Sequence, residues 1–283
     1  MVPAAVREVV RAWRPEVPGV AEVFHARFVS HAYPAHTHDT WTLLIVDDGA
    51  IHYDLEQHHH GAVGATVTLL PPHVPHDGRA ASHEGFRKRV LYLDTSVLGL
   101  DLVGAAADHP ALRDDLLRDR IHRLHAALAR DGDAFEAESR LALVCARLRS
   151  HLSQLSVVDD TALTPDGASP ASLDLPGPLA PLADRFRQLL DARTVDGVTL
   201  REASAELGAS PGHLVRSFTR TFGLPPHLYL TGRRVDHARR LLLAGQPAAS
   251  VAATVGFHDQ SHMTRHFRRH LGATPSRWKG TLR

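Results

Sequence analysis

Between residues 20 and 94, apolar and polar residues alternate in short runs, and each run ends at a turn signal. The runs at 24–28, 40–46, 51–55, 66–70 and 89–93 carry the β-branched and aromatic residues that suit a pleated surface. The breaks hold Asp47-Asp48-Gly49, the histidine-rich segment 58–61, Pro71-Pro72 and Asp77-Gly78. Many short strands at this interval predict a sandwich or a closed barrel. From Ala111 the period lengthens: Leu112, Leu116, Leu117, Ile121, Leu124 and Leu128 recur at helical spacing. After the break at Asp131-Gly132-Asp133 the pattern returns with Leu141, Val144, Leu148 and Leu152, so an antiparallel helix pair is expected within 96–155. Its stripes can pack on the barrel or on a second subunit, and we expect a dimerising role. Residues 156–178 mix Pro, Gly, Ser, Asp and Thr with little periodicity, as a linker does. The expected fold is therefore multi-domain α+β: a β-barrel over 1–95, the helix pair, the linker, and an all-α domain over 179–283.

That last segment contains an internal repeat. The first copy runs from Leu200 through Gly208, Ser210, Leu214, Arg216 and Phe218 to Phe222-Gly223 and Pro226. The second carries Gly256-Phe257, Asp259, Met263, Arg265 and Phe267, then Leu271-Gly272 and Pro275. In each copy an Ala-rich helix closes at a glycine, where a left-handed residue is needed. Ser210 or Asp259 then caps the next helix, which turns Leu214/Phe218 or Met263/Phe267 inward and leaves an arginine outside. Two helices joined by a tight glycine turn read as a helix-turn-helix, expected at 200–222 and 248–271. Between the copies, Pro225-Pro226 opens a helix running to about Ala244, which at 1.5 Å per residue spans about 28 Å. Successive major-groove faces of a duplex lie about 34 Å apart, so two reading helices could address one side of DNA.

The net charge of +1 conceals an asymmetry: residues 178–283 carry 16 Lys and Arg against 7 Asp and Glu, +9, leaving −8 on the rest. A basic domain on an acidic body is an electrostatic footprint of nucleic-acid binding. The single cysteine, Cys145, excludes an intrachain disulfide and a thiolate metal cluster. With charges interrupting the N-terminus at Arg7, Glu8, Arg11 and Arg14, neither a signal peptide nor a membrane span is expected, and the chain reads as cytoplasmic.

Taken together, the stretch from Pro181 to Gly280 resembles the C-terminal domain of the AraC/XylS family of transcription regulators. The matching residues include Leu207-Gly208, Arg216, Phe222-Gly223, Arg233, Leu241-Leu242, Val255-Gly256-Phe257, Gln260-Ser261-His262, Thr264-Arg265 and Thr274-Pro275. The resemblance implies that the exposed faces of 210–220 and 259–269 meet DNA. On the first face this assigns Ser210, Gly212, His213, Val215 and Arg216, and on the second Gln260, Ser261, His262 and Arg265. Gly212 and Val215 have no side-chain donor, so Arg216 is the guanine-reading candidate there. Arg220, Arg268 and Arg269 are expected on phosphates.

The N-terminal half holds His36-Thr37-His38, then Gly49 and Gly64, then Pro71-Pro72-His73-Val74-Pro75-His76. This is similar to the cupin-like barrel that the same family fuses to its DNA-binding domain. Two histidines at i and i+2 share one strand face, and His76 from a later strand could complete a triad. Metal-binding cupins usually place a glutamate four or five residues after the His-X-His, whereas Thr42 and Leu43 stand here; Glu56 is a candidate substitute. Three readings stay open: hydrogen-bonded pocket residues, contacts to an organic effector, or ligands of a divalent transition metal. Trp41, Tyr53 and Phe28 are expected as pocket walls, and His58-His59-His60 as an exposed hairpin loop.

No nucleophile constellation or phosphate-cradling glycine loop is present, so the chain is not expected to be an enzyme. The expected activity is sequence-specific, effector-controlled transcription regulation, with promoter DNA, RNA polymerase, a small molecule and a second copy of the chain as partners. The rivals are a metal-dependent cupin enzyme with an accessory helical domain, and a constitutive DNA-binding protein.

Overall fold

A computed structural model describes residues 8–55, 58–130, 132, 134–160 and 181–278, with the side chains of 155–160 left out. Nine strands precede or flank the first helices: β1 (Val9–Trp13), β2 (Val20–Phe28), β3 (Ala32–His36), β4 (Trp41–Leu55), β5 (His58–Val63), β6 (Val67–Leu70), β7 (His76–Ala80), β8 (Phe86–Leu93) and β9 (Ala111–Leu112). Antiparallel pairing runs β1-β2-β8-β4-β6-β9, while β3 pairs with β7, and β5 and β7 pair with the second half of β4.

The expected strands at 40–46 and 51–55 are one element, β4. Asp47-Asp48-Gly49, expected as a turn, is instead a bulge where the register shifts between Val46 and Asp48. The bulge bends the strand so that one half pairs with β6 and β8 and the other with β5 and β7. Gly49 is required there, with φ at +72° and the Gly85 carbonyl 2.2 Å from where a Cβ would sit. His58-His59-His60 begins strand β5 rather than lying in a loop.

The two faces of β4 serve different cores. Trp41, Leu43 and Ile45 point to a core shared with the helix pair α2 (Asp115–Leu128) and α3 (Ala134–Asp160), below the short α1 (Val103–Asp108). Leu44 and Val46 point the other way, into the barrel. The stripes Leu117/Ile121/Leu124/Leu128 and Leu141/Val144/Leu148/Leu152 are thus covered by the barrel's outer face, leaving Leu116, Leu143 and Phe135 as exposed apolar residues on the pair. Cys145 is buried in this core, which pushes its thiol up to about 11. Helix α3 runs into the start of the segment expected as linker, and residues 161–178 of that segment lie outside the described residues.

The C-terminal part comprises α4 (Leu182–Ala192), α5 (Leu200–Leu207), α6 (Pro211–Phe222), α7 (Pro226–Leu243), α8 (Ala248–Thr254), α9 (Gln260–Leu271) and α10 (Pro275–Trp278). Thr199 and Glu202 form a capping box on α5, Gly208 closes it in the left-handed region, and Ser210 and Asp259 cap α6 and α9. The Gly256 turn is doubly constrained: φ is +83°, and a Cβ there would lie 2.2 Å from the Val195 carbonyl. Leu214, Phe218, Met263 and Phe267 are all fully buried, and Tyr229 and Trp278 are the paired aromatic anchors.

The two units differ in where their cores belong. The first has its own, built from Phe186, Leu190, Ala203, Leu214, Phe218 and Tyr229. Met263, Phe267, Leu271 and Trp278 of the second join the barrel's interior cluster. Trp278 stacks on Phe24 with ring centroids 5.2 Å apart, and Gly272 approaches Phe28 so closely that any side chain would collide with the ring. The second helix-turn-helix is therefore the lid of the barrel.

Candidate functional site

Helices α6 and α9 offer parallel sets of side chains. On α6, Ser210 accepts from the His213 amide at the cap, Gly212, His213, Arg216 and Arg220 are exposed, and Val215 is half-buried. The Arg216 guanidinium lies 3.1 Å from the position a Cβ of Gly212 would take, so the glycine makes room for the arginine. On α9, Gln260, Ser261, Arg265, Arg268 and Arg269 are exposed; His262 is half-buried, its Nε2 3.1 Å from Nε2 of His266. Among the described residues, Arg216, Arg220, Arg265, Arg268 and Arg269 are in no salt bridge, whereas Arg187, Arg193 and Arg233 of the same domain are paired with carboxylates. Positions 212, 216 and 220, like 261, 265 and 268, recur at helical spacing and share a face. Such faces carry cations that are free to meet phosphates and base edges.

The second site is a chamber inside the barrel. It is lined by His36, His38, His76, Tyr33, Tyr53, Lys88 and Tyr92, with a cavity of about 40 Å³. His36, His38 and His76 come together with one ring nitrogen from each within 4.8 Å of the others. Burial and mutual repulsion lower His36 well below the usual histidine range and His76 to about 3, so both rings are neutral. Two of the expected walls lie elsewhere. Trp41 is one residue out of phase with Thr42, faces the helix pair and donates its indole N–H to the Leu98 carbonyl at 2.8 Å. Phe28 is wholly buried near the base of α9 and does not line the cavity. Glu56 lies outside the described residues.

Four charged residues that pattern reading missed stand around this chamber. Lys88 faces inward between Phe86 and Val90, its ammonium 4.0 Å from the Tyr33 ring centroid, and burial with Arg239 nearby pulls its pKa down to about 7. Asp236 and Arg239 descend from α7. Asp236 accepts from Nδ1 of His38 at 3.0 Å, while Arg239 lies 2.8 Å from Glu22 of β2 and 4.0 Å above the Tyr92 ring. Burial raises Glu22 to about 7 although Arg239 opposes it, and the carboxyl of Asp236 is held far below the usual range by His38 and Arg239 despite its own burial. At the rim, Asp39 binds Arg240 and lies 3.7 Å from Arg233. One signal was present in the sequence: Asp236 and Arg239 interrupt the apolar stripe of Val235, Ala238 and Leu242, and Lys88 occupies an inward strand position.

A β-barrel with an enclosed chamber, lidded by the second of two capped helix-turn-helix units, defines a barrel domain joined to a helix-turn-helix module. Comparison with known proteins agrees. Residues 18–144 match the model of the AraC-like ligand binding domain, and residues 203–281 match a helix-turn-helix domain. The chain belongs to the AraC family of transcriptional regulators. It is 23% identical over 250 residues to the uncharacterized HTH-type regulator YbfI of Bacillus subtilis, covering 86% of this chain and 85% of that one. It is 34% identical over 124 residues to the regulator RipA of Corynebacterium glutamicum, covering 43% of this chain and 38% of RipA. With the virulence regulon transcriptional activator VirF of Yersinia enterocolitica the match is 29% over 94 residues, 33% of this chain and only 35% of VirF. ToxT from Vibrio cholerae O395 has the same fold, with a TM-score of 0.53, 11% identity and 96% of each chain covered.

Proposed function

We propose that this regulator binds specific promoter sites through α6 and α9 and that a small effector in the barrel chamber controls that binding. The observation that carries the proposal is the union of five arginines, in no salt bridge among the described residues, on two capped helices with a lid role for the second unit. Arg216 and Arg265 read base edges, beside Ser210, His213, Gln260, Ser261 and His262, and Arg220, Arg268 and Arg269 grip phosphates. Lys88, half-buried on the chamber wall and in no salt bridge among the described residues, favours an acidic effector. An effector that wedges the chamber open shifts the equilibrium between docked and released second units. Two chains pair through the outer faces of α2 and α3, where Leu116 and Leu143 are exposed. The promoter-bound pair contacts RNA polymerase, in the cytoplasm where the chromosome is read.

Footprinting of bound genomic sites followed by variant binding tests this. Arg265→Ala should cost roughly 1–3 kcal/mol at a cognate site and relax selection at one base pair. Arg268→Ala should weaken every sequence alike and reduce the salt slope by about one. An Arg265→Ala protein that binds cognate and altered sites as the parent does would remove α9 from base reading.

A further inference from the structure

The chamber histidines have a feature that effector binding does not require. Nδ1 of His36 lies 2.7 Å from the Pro34 carbonyl, Nδ1 of His76 3.1 Å from the Val74 carbonyl, and Nδ1 of His38 3.0 Å from the Asp236 carboxylate. Carbonyl and carboxylate oxygens only accept, so each Nδ1 carries the proton and each Nε2 is the unprotonated nitrogen left available to a ligand. The rings are mutually close, with centroids 4.5 to 5.2 Å apart. All three residues are under 10% exposed. Histidine ligands of metal ions are held this way, with the second nitrogen donating to a carbonyl or carboxylate that fixes the tautomer and raises ligand basicity. Three buried hydroxyls lining the same cavity, Tyr33 Oη, Thr42 Oγ1 and Tyr53 Oη, have no hydrogen-bond partner among the described residues. Such hydroxyls can hydrogen-bond water or an anion held in the cavity.

We propose that His36, His38 and His76 bind one divalent transition metal through their Nε2 atoms, and that Asp236 of the DNA-binding domain is the outer carboxylate that orients His38. A tetrahedral ion with bonds of about 2.0–2.1 Å needs nitrogens about 3.4 Å apart. Contraction from a spacing bounded by 4.8 Å requires side-chain adjustment of an ångström or so, with no change of strand register. Three imidazole ligands without a carboxylate suit zinc, cobalt or nickel rather than magnesium or calcium. The ion makes the His38–Asp236 contact part of its own coordination, so it ties α7 to the barrel. The assignment is independent of the organic effector: it fails or stands on metal binding alone.

The test uses the full chain, made without a histidine tag and stripped of metal, titrated with Co²⁺ and then displaced with Zn²⁺. We expect one Co²⁺ per chain with visible bands of low-coordinate cobalt. His76→Gln should abolish those bands and weaken binding at least 100-fold, and Asp236→Asn should weaken it 10- to 100-fold at unchanged stoichiometry. His59→Ala, on the surface, and His266→Ala, on α9, should change neither. Substoichiometric binding, bands that survive His76→Gln, or loss of binding in His59→Ala or His266→Ala would overturn the site. An Asp236→Asn protein with parental affinity would overturn the link to the DNA-binding domain. Should His76→Gln fail to fold, X-ray absorption of the zinc-loaded parent decides: three imidazole nitrogens at about 2.0–2.1 Å support the site, and fewer reject it.

Discussion

Arg239 is the most consequential single side chain in the seam between barrel and DNA-binding domain. Its side chain is 5% exposed, 2.8 Å from Glu22 and 3.6 Å from Asp236, and the guanidinium lies over the Tyr92 ring. Arg239→Ala leaves Glu22 in the core with no counter-charge. Breaking a buried ion pair from one side costs about 3–5 kcal/mol, and a desolvated cation–π contact is worth about 2 kcal/mol. The two overlap because they share one guanidinium, so about 3–5 kcal/mol is the expected loss. Glu22 can limit it by taking a proton. Its pKa stands near 7, raised by burial, with Arg239 holding it down, so removing Arg239 moves it higher. A carboxyl whose folded pKa is raised adds stability below its unfolded value and loses it as pH rises through the folded value. The variant should therefore suffer more at pH 8 than at pH 6. Hydrogen exchange over α7 and β2, together with urea unfolding at both pH values against the parent, reads the effect locally and globally. Replacing both members by apolar residues of similar bulk, Glu22→Leu with Arg239→Met, should recover most of the loss. Parental exchange and urea midpoint in Arg239→Ala at pH 8 would refute the account of the seam.

Further outcomes follow from the same structure. His125 is lowered well below the usual histidine range and His270 to about 4, both by burial first. A histidine with a depressed folded pKa protonates first in the unfolded chain, so stability should fall as pH drops below 6.5. Two such groups contribute roughly 3 kcal/mol per pH unit at most; a metal-free protein with the same urea midpoint at pH 7.5 and pH 5 would contradict this. Gly208→Ala and Gly256→Ala separate backbone strain from collision. Both glycines have positive φ, but Gly208 has open space around it and Gly256 faces the Val195 carbonyl. We expect about 1–2 kcal/mol for the former and clearly more for the latter by thermal unfolding; equal losses would count against the close approach. Leu116→Asp with Leu143→Asp should shift a dimer toward monomer in sedimentation without altering helix content, and an unchanged mass would place the pairing surface elsewhere.

Much of the C-terminal part was legible in the sequence because its determinants are local. Ser210, Asp259, Gly208 and Gly256 act within a turn of the helices they bound, and Leu214/Phe218 and Met263/Phe267 are spaced by one helical turn. In the barrel, alternation over 20–94 found five runs but missed β3, β5 and β7, which carry proline, histidine-rich or polar stretches, and β1 and β9 lie outside that span. It also divided β4 at a bulge, since Asp47-Asp48-Gly49 has the composition of a turn and only pairing with β8 shows otherwise. Trp41 was expected in the chamber on residue type, yet strand phase places it on the opposite face from Thr42.

Periodicity, caps and glycines, which work over a few residues, determined by themselves that this chain carries two helix-turn-helix units behind a barrel holding three histidines. Tertiary structure alone decided that the second unit closes the barrel and that Asp236 reaches His38 across 198 positions of sequence. Glu22, Asp236 and Arg239 would each be costly to bury singly, and they are tolerated because folding brings their opposite charges together. A pairing between segments so far apart leaves no period for a linear pattern to show.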